Sequence, residues 1–262
     1  MTALKETTTI YVYRGDASGG QEQPYSVEVS PGMVVLDAIH YIQAHHARDL
    51  AVRWNCKAAH CGSCSAEING RPKLLCKTRI DQYLASGVPI HVRPMKTFPL
   101  IRDLVTDVSW NYRVAKKIAP FQPDGPAPFT LFQRDVDRIQ EFRRCIECFL
   151  CQDICHVLRD HHDQNVYMGP RFMTKLAELE MHPMDASDRI AFTTQQAGIG
   201  WCNVTHCCSD VCPEGIQITG NAIIPLKERA ADRNWDPLRR LFGHGPSAHV
   251  AEHKSKDRQK ID

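Results

Sequence analysis

The chain has 262 residues, 43% of them hydrophobic, and a formal net charge of +2, which predicts one or two domains that can each bury a core. There is no basic run with interleaved aromatic residues, so the sequence disfavours nucleic-acid binding. No stretch approaches the roughly 18 apolar residues that a bilayer span needs, and the first residues contain no apolar signal-peptide segment. We therefore expect a cytoplasmic chain that reaches a membrane only through a partner.

The first part of the chain shows the element order of a small β-grasp domain. Residues 8–14 and 24–30 alternate apolar and polar side chains, as half-buried strands do, and a Ser-Gly-Gly turn separates them. A helical pattern begins near Val35, and residues 65–70 and 89–94 predict later strands.

The pattern then changes to helical. Apolar residues recur at intervals of three and four over 100–112, which predicts a helix with Pro99 in its first turn. Four prolines and a glycine within 118–129 predict a linker or an extended crossing segment. Further helices are predicted from Pro170 onwards and through 223–230.

The twelve cysteines are the most informative feature of the sequence. In a cytoplasmic chain of this size, clustered C-x2-C spacings favour metal binding over disulfides. The cysteines fall into three runs of four. The first run is Cys56, Cys61, Cys64 and Cys76; the second is Cys145, Cys148, Cys151 and Cys155; the third is Cys202, Cys207, Cys208 and Cys212.

The first run has the C-x4-C-x2-C spacing and distant fourth cysteine of plant-type [2Fe–2S] proteins. A tight loop would supply three thiolates, and Gly62 would let the backbone approach the inorganic sulfides. The alternative is a structural zinc site, whose ligands usually come as close pairs from two separate turns. A three-cysteine loop with one distant cysteine fits that arrangement poorly, so we favour [2Fe–2S].

The second run has the bacterial C-x2-C-x2-C-x3-C spacing but ends in Cys155-His156, where Cys-Pro is usual. The third run supplies the missing pair as Cys212-Pro213. In two-cluster ferredoxins the fourth cysteine of each run ligates the other cluster. This rule predicts a [4Fe–4S] cluster with ligands from both runs: Cys145, Cys148, Cys151 and Cys212.

The same rule leaves Cys155, Cys202 and Cys208 for the remaining cluster. The fourth ligand position falls on Thr205, and three thiolates with one vacant corner favour [3Fe–4S]. Cys207 is left spare, although its place beside Cys208 makes its recruitment the competing assignment.

These residues resemble the iron–sulfur subunit of succinate dehydrogenase and fumarate reductase over roughly residues 8–230. The resemblance rests on "CGSCSAEING", on "PLIRDLVTDVSWNY", on both later cysteine runs and on Gly169-Pro170. It implies an α+β fold, with an N-terminal β-grasp [2Fe–2S] ferredoxin-like domain and an all-α bacterial-ferredoxin-like domain with two clusters. We expect domains at 1–106 and 107–240 and a flexible tail at 241–262.

The resemblance also implies partners. Members of this family lie between a flavoprotein, which oxidises succinate at covalently bound FAD, and a membrane anchor that handles quinone. The chain should therefore carry no catalytic acid–base residue, and it should be held peripherally at the cytoplasmic face of the inner membrane. Fumarate reduction in the reverse direction, a related reductase with a thiol or another donor, and a free-standing polyferredoxin remain alternatives.

The quinone side departs from the family. Where familiar members have Pro-Ser-x-Trp-Trp, residues 156–160 read His-Val-Leu-Arg-Asp, and a further quinone-side histidine is replaced by Asn203. Two interpretations stay open. Either the anchor builds most of the quinone pocket, or electrons pass through another redox group in the anchor, with His156 tuning the cluster or contacting the anchor.

Overall fold

The computed structural model describes residues 6–125, 130–162 and 164–235. The predicted tail and residues 126–129 of the predicted linker lie outside these ranges. Seven strands are present in the described part: β1 Glu6–Asp16, β2 Gly19–Val29, β3 Ser65–Ile68, β4 Arg71–Leu74, β5 Ile90–Arg93, β6 Leu100–Arg102 and β7 Val105–Thr106.

Helices dominate the rest of the described chain. The α-helices are α1 Val35–His45, α2 Asp81–Ser86, α3 Ser109–Ala115, α4 Gln133–Arg143, α5 Leu150–Asp153, α6 His156–Arg159, α7 Pro170–Glu180, α8 Arg189–Gln195, α9 Cys207–Asp210 and α10 Ile224–Trp235. A 3₁₀ turn spans Ile199–Trp201, and a π-helix at Ile218–Ile223 leads into α10.

The chain folds into two compact units. Of the described residues, the first unit takes in those up to Arg113 together with Cys145–His162 and Cys207–Gly215. The second takes in the described residues of 114–144 and 163–206 and those from Ile216 onwards. The second cysteine run and most of the third therefore belong to the same unit as the first run.

In the first unit the strands form one sheet in the order β4-β3-β5-β1-β6-β7, and β2 pairs with β1. The long β1–β2 hairpin is antiparallel, while β5 runs parallel to β1. Ile10 and Val12 of β1 are fully buried, as their alternation with polar neighbours predicts. Leu36 and Ile39 of α1 pack into the same core, so the expected β-grasp order is present.

This core reaches the later cysteine runs. Cys148, Leu150 and Val211 are buried in the same hydrophobic cluster as the sheet and α1. Apolar burial therefore helps to hold the cysteine loops in place, at roughly 25 cal/mol for each Å² removed from water.

The prediction of a helix over residues 100–112 is wrong. Its first half forms β6 and β7, and α3 begins only at Ser109. The turn between the two strands contains Asp103, which is left-handed (φ 50°) and buried. Its carboxylate accepts hydrogen bonds from the backbone amides of Gly15 (3.0 Å) and Ala51 (2.8 Å), contacts that a helix would not allow.

In the second unit, α7 is the central element and packs against α4, α8 and the π-helix. Pro170 occupies its first turn, and Phe172 and Leu176 are buried, which agrees with the predicted helix. The predicted linker contains no helix or strand through residue 125 apart from an isolated bridge at Pro123.

A buried ion pair fixes the start of this linker. Arg189 in α8 pairs with Asp185 at 2.6 Å and also donates to the carbonyls of Ala119 (2.7 Å) and Pro120 (2.8 Å). Asp185 in turn accepts from the Gln122 amide at 3.0 Å. The pair thereby provides hydrogen-bond partners for backbone groups of a segment that lies in no helix or sheet.

None of the helices in the described ranges has both the length and the apolar character needed to cross a bilayer.

Candidate iron–sulfur sites

The first three cysteines of the first run lie in a tight loop that leads into β3, and two backbone amides of this loop point at one sulfur. The amides of Ala58 and His60 each lie 3.3 Å from Cys56 Sγ. Lys57 and Ala59 adopt left-handed conformations, which turn alternate amides inward. Such amide concavities bind anions, including the thiolates and sulfides of iron–sulfur sites.

The four thiols of this run act on one another. Burial raises the pKa of Cys64 to about 12, and the charges of Cys76 and Cys61 add to this rise. Burial also raises the pKa of Cys61, but hydrogen bonds with Ser63 and Cys56 outweigh it and lower the pKa to about 7. The structure therefore brings all four predicted ligands of the first cluster together.

The first three cysteines of the second run form another group with Cys212 in the first unit, and Cys208 lies near enough to act on Cys151 as well. Burial raises the pKa of Cys148 to about 12, with further contributions from the charges of Cys145 and Cys212. Burial also raises the pKa of Cys151, as do the charges of Cys148, Cys145, Cys208 and Cys212. Cys148 and Cys151 are buried thiols whose pKa values are raised, whereas Cys145 and Cys212 are half-buried. Thiols grouped in this way suit a cationic iron core, because metal binding replaces their protons.

The residues predicted for the third cluster are divided between the two units. Cys155 and Cys208 are buried in the first unit. Cys202 lies in the second unit, where its sulfur accepts from the Val204 amide at 3.5 Å. Thr205 is exposed and Cys207 half-buried. The [3Fe–4S] assignment stays a prediction.

Sequence reasoning missed one feature that all three runs share. Each run contains two non-glycine residues in left-handed conformation, separated by one residue. These pairs are Lys57 and Ala59, Glu147 and Phe149, and Val204 and His206. Such residues rarely adopt positive φ, and no residue type here marks the position beforehand.

All twelve cysteines are free thiols. Within the described ranges, no three His, Cys, Asp or Glu side chains have the geometry of a site for a single metal ion. Ligands of a cluster stand further apart than those of one ion, because irons and sulfides lie between the thiolates. The two thiol groups in the first unit fit iron–sulfur clusters in number, type and backbone setting.

The residues that replace the family's quinone motif are mostly turned inward. Val157 and Leu158 are buried in the first unit. Arg159 Nη1 lies 2.5 Å from Glu67 Oε1. His156 is half-buried, with its ring 6.4 Å from that of His161.

Two family models match the chain in the predicted order. Residues 8–112 match the 2Fe-2S iron-sulfur cluster binding domain, and residues 141–216 match the 4Fe-4S dicluster domain. The fumarate reductase iron-sulfur subunit of Mycobacterium tuberculosis is 32% identical over 231 residues, covering 85% of this chain and 91% of the relative. The chain belongs to the family of iron–sulfur subunits of succinate dehydrogenase and fumarate reductase. Its function is electron transfer within an oxidoreductase complex of this type.

Other members of this succinate dehydrogenase/fumarate reductase family agree. The succinate dehydrogenase iron-sulfur subunit of Bacillus subtilis is 29% identical, covering 85% of this chain and 90% of its own length. A chain of the Mycobacterium smegmatis Sdh1 complex in the apo form superposes with a TM-score of 0.86 at 52% identity, covering 90% of this chain and all of that one. The predicted family and fold class are confirmed.

Proposed function

We propose that this chain accepts electrons singly from the FAD of a flavoprotein subunit and passes them through three iron–sulfur clusters toward a membrane anchor and quinone, in the direction of succinate oxidation. The observation that supports this most is that Cys212 lies in the same unit as Cys145, Cys148 and Cys151, where the charges of Cys145 and Cys212 both act on Cys148 and Cys151. It is the crossed arrangement that a two-cluster ferredoxin needs.

The proposed ligand sets are those predicted from the sequence. The [2Fe–2S] cluster takes the first run, the [4Fe–4S] cluster takes Cys145, Cys148, Cys151 and Cys212, and the [3Fe–4S] cluster takes Cys155, Cys202 and Cys208. When bound, the clusters supply one-electron redox steps without proton transfer to the protein.

The protein's own part is to hold and tune these groups. The amides of Ala58 and His60 donate to Cys56 Sγ and so stabilise negative charge on that sulfur. Hydrogen bonds to sulfur raise the reduction potential of a cluster, whereas burial disfavours added charge. The exposed position of Cys56 and the burial of Cys148 and Cys151 thus give the two sites different surroundings.

The proposed partners are a flavoprotein that carries the dicarboxylate site and an anchor that holds the chain peripherally at the cytoplasmic membrane face. The 52% identity to a chain of the Sdh1 complex supports this. We place no quinone contact on Val157 or Leu158, because both are buried. His156 is the accessible member of the replaced motif nearest to Cys155.

Fumarate reduction is the second candidate, because the Mycobacterium tuberculosis relative is named a fumarate reductase subunit. Both directions use the same electron route. The midpoint potentials of the clusters and the quinone that accepts or supplies the electrons would set the direction.

The test is to purify the complex from native membranes in mild detergent. We expect a flavoprotein and at least one anchor to co-purify, with flavin, three EPR-distinct clusters and succinate:quinone activity above quinol:fumarate activity. Faster fumarate reduction would reverse the direction. A single chain with stable clusters and no partners would contradict the proposal and favour a free electron shuttle.

A further inference from the structure

The loop of the first cluster touches a ligand of the second at one point. Gly62, which lies between Cys61 and Cys64, has φ +69°. A Cβ placed on Gly62 would lie 2.6 Å from Cys148 Cα and 2.8 Å from Cys148 Cβ. The backbones of Gly62 and Cys148 are therefore in direct contact, and no side chain fits between them.

A buried hydroxyl holds this contact. Ser65 Oγ lies 2.8 Å from the carbonyl oxygen of Gly62 and 2.9 Å from that of Cys148. A hydroxyl has one hydrogen, so the two carbonyls share a single donor. Ser65 therefore links the two loops through one atom, and a change at this residue acts on both loops.

Two basic side chains reinforce the same region. Arg71 donates to the carbonyl of Asp210 at 3.2 Å, and Lys77 donates to that of Pro213 at 2.6 Å. They extend from either side of Cys76 to either side of Cys212. The loops of the first site are thus attached to both segments that carry the second.

We infer that the contact between Gly62 and Cys148 is the junction where electrons cross from the first cluster to the second, and that Ser65 is the residue that positions it. Tunnelling decays exponentially with distance and decays faster across a gap than through contacting atoms. The contact gives a path from Cys61 or Cys64 through Gly62 to Cys148 in which the step between the two loops is a direct van der Waals contact. This inference rests on the ligand sets of the proposed function.

The proposed step is the transfer of one electron between the two clusters. One electron leaves the first cluster, which is oxidised by one unit, and enters the second, which is reduced by one unit. No covalent bond forms or breaks, and no proton moves. The role of the protein is to fix the distance between the two clusters, and that distance can be measured.

The first test compares Gly62→Ala with Gly87→Ala in the purified complex. Gly87 has nearly the same φ, +66°, but nothing lies within 4 Å of a Cβ there, so it controls for backbone strain alone. We expect Gly62→Ala to weaken the dipolar EPR interaction between the two reduced clusters and to slow transfer between them severalfold after flash reduction. Gly87→Ala should match the unmodified complex.

The second test compares Ser65→Ala with Ser86→Ala, which also removes a hydroxyl bonded to two carbonyls, at 3.0 and 3.1 Å, but at an exposed helix end. Ser65→Ala should weaken the dipolar interaction with both clusters still present, and Ser86→Ala should not. This variant decides the matter if Gly62→Ala does not assemble.

Three outcomes would contradict the junction. One is unchanged dipolar coupling and transfer rate in both Gly62→Ala and Ser65→Ala with both clusters present. Another is loss of a cluster in both variants while both controls load fully, because the contact would then serve assembly. The third is slowing in the controls equal to that in the variants. By contrast, a [4Fe–4S] signal that survives Cys148→Ser would refute the ligand sets of the proposed function.

Discussion

Arg159 in α6 forms a salt bridge with Glu67 in β3, with 2.5 Å between Nη1 and Oε1. Its Nη1 also lies 3.9 Å from Asp153 Oδ2. The side chains of Glu67 and Asp153 are 5% and 0% exposed. One partly buried cation therefore pairs with the buried Glu67 carboxylate and lies close to a second buried carboxyl group, that of Asp153.

We expect Arg159→Gln to destabilise the first unit by up to about 3–5 kcal/mol, because it leaves the buried Glu67 carboxylate without its cation. The measurement is the urea midpoint of the loaded complex by circular dichroism under anaerobic conditions. Arg79→Gln is the control, since it breaks a surface pair with Asp81 and should change little. Equal midpoints for the two variants would refute the role of Arg159.

The buried Asp153 predicts a pH dependence. Burial raises the pKa of Asp153 from 3.8 to about 7; the hydrogen bond from the Thr97 amide opposes this rise, and the charge of Glu67 adds to it. Folding therefore favours the protonated form. The associated stability is present below pH 3.8 and is lost as the pH rises through about 7.

Asp153→Asn tests this, because an amide cannot ionise and can still accept from Thr97 through its oxygen. We expect the urea midpoint of the unmodified complex to fall relative to that of the variant between pH 4 and 7. Above pH 7 the two curves should run parallel. Parallel curves across the whole range would show that Asp153 does not titrate there.

The buried pair of Arg189 and Asp185 predicts a local effect on the linker. Arg189→Gln should loosen the segment at residues 119–122, because two backbone carbonyls lose their donor. Limited proteolysis should then cut this segment faster. Arg229→Gln is the control in the same unit, since Arg229 makes only a partly exposed pair with Glu180. Equal cleavage rates in both variants would show that Arg189 does not hold this segment in place.

The vacant ligand position predicts a conversion of cluster type. Thr205→Cys should supply a fourth thiolate and replace the three-iron EPR signal of the oxidised complex with a four-iron signal on reduction. Cys207→Ser is the matched change and should leave the three-iron signal intact. If Cys207→Ser instead removes a cluster, Cys207 is a ligand and the corner is assigned wrongly.

Local sequence patterns were sufficient for much of the fold. One face of each element is buried, so its apolar residues recur with the period of a strand around Ile10 and of a helix from Val35. The predicted strand and the predicted helix are both confirmed. The segment 100–112 has helical spacing too, yet part of it pairs in the sheet. The conformation of this segment depends on hydrogen bonds that Asp103 accepts from the amides of Gly15 and Ala51. Both donors are distant from Asp103 in the sequence.

In the candidate sites, too, local sequence patterns predict some features but not those that depend on contacts between distant segments. Cysteine spacing predicts which thiols bind each cluster, because the chemistry of a cluster requires that spacing, and this assignment stays a prediction. It did not indicate that Ser65 would join Gly62 to Cys148, or that Arg159 would pair with Glu67. These contacts bring together segments that are distant in sequence, so they follow from the packing of the fold.

The crossed ligand assignment is the central claim, and EPR of two variants of the purified complex tests it directly. Cys212→Ser should remove the four-iron signal of the reduced complex and keep the three-iron signal of the oxidised complex. Cys155→Ser should do the reverse. Loss of the three-iron signal in Cys212→Ser together with loss of the four-iron signal in Cys155→Ser would contradict the crossed arrangement.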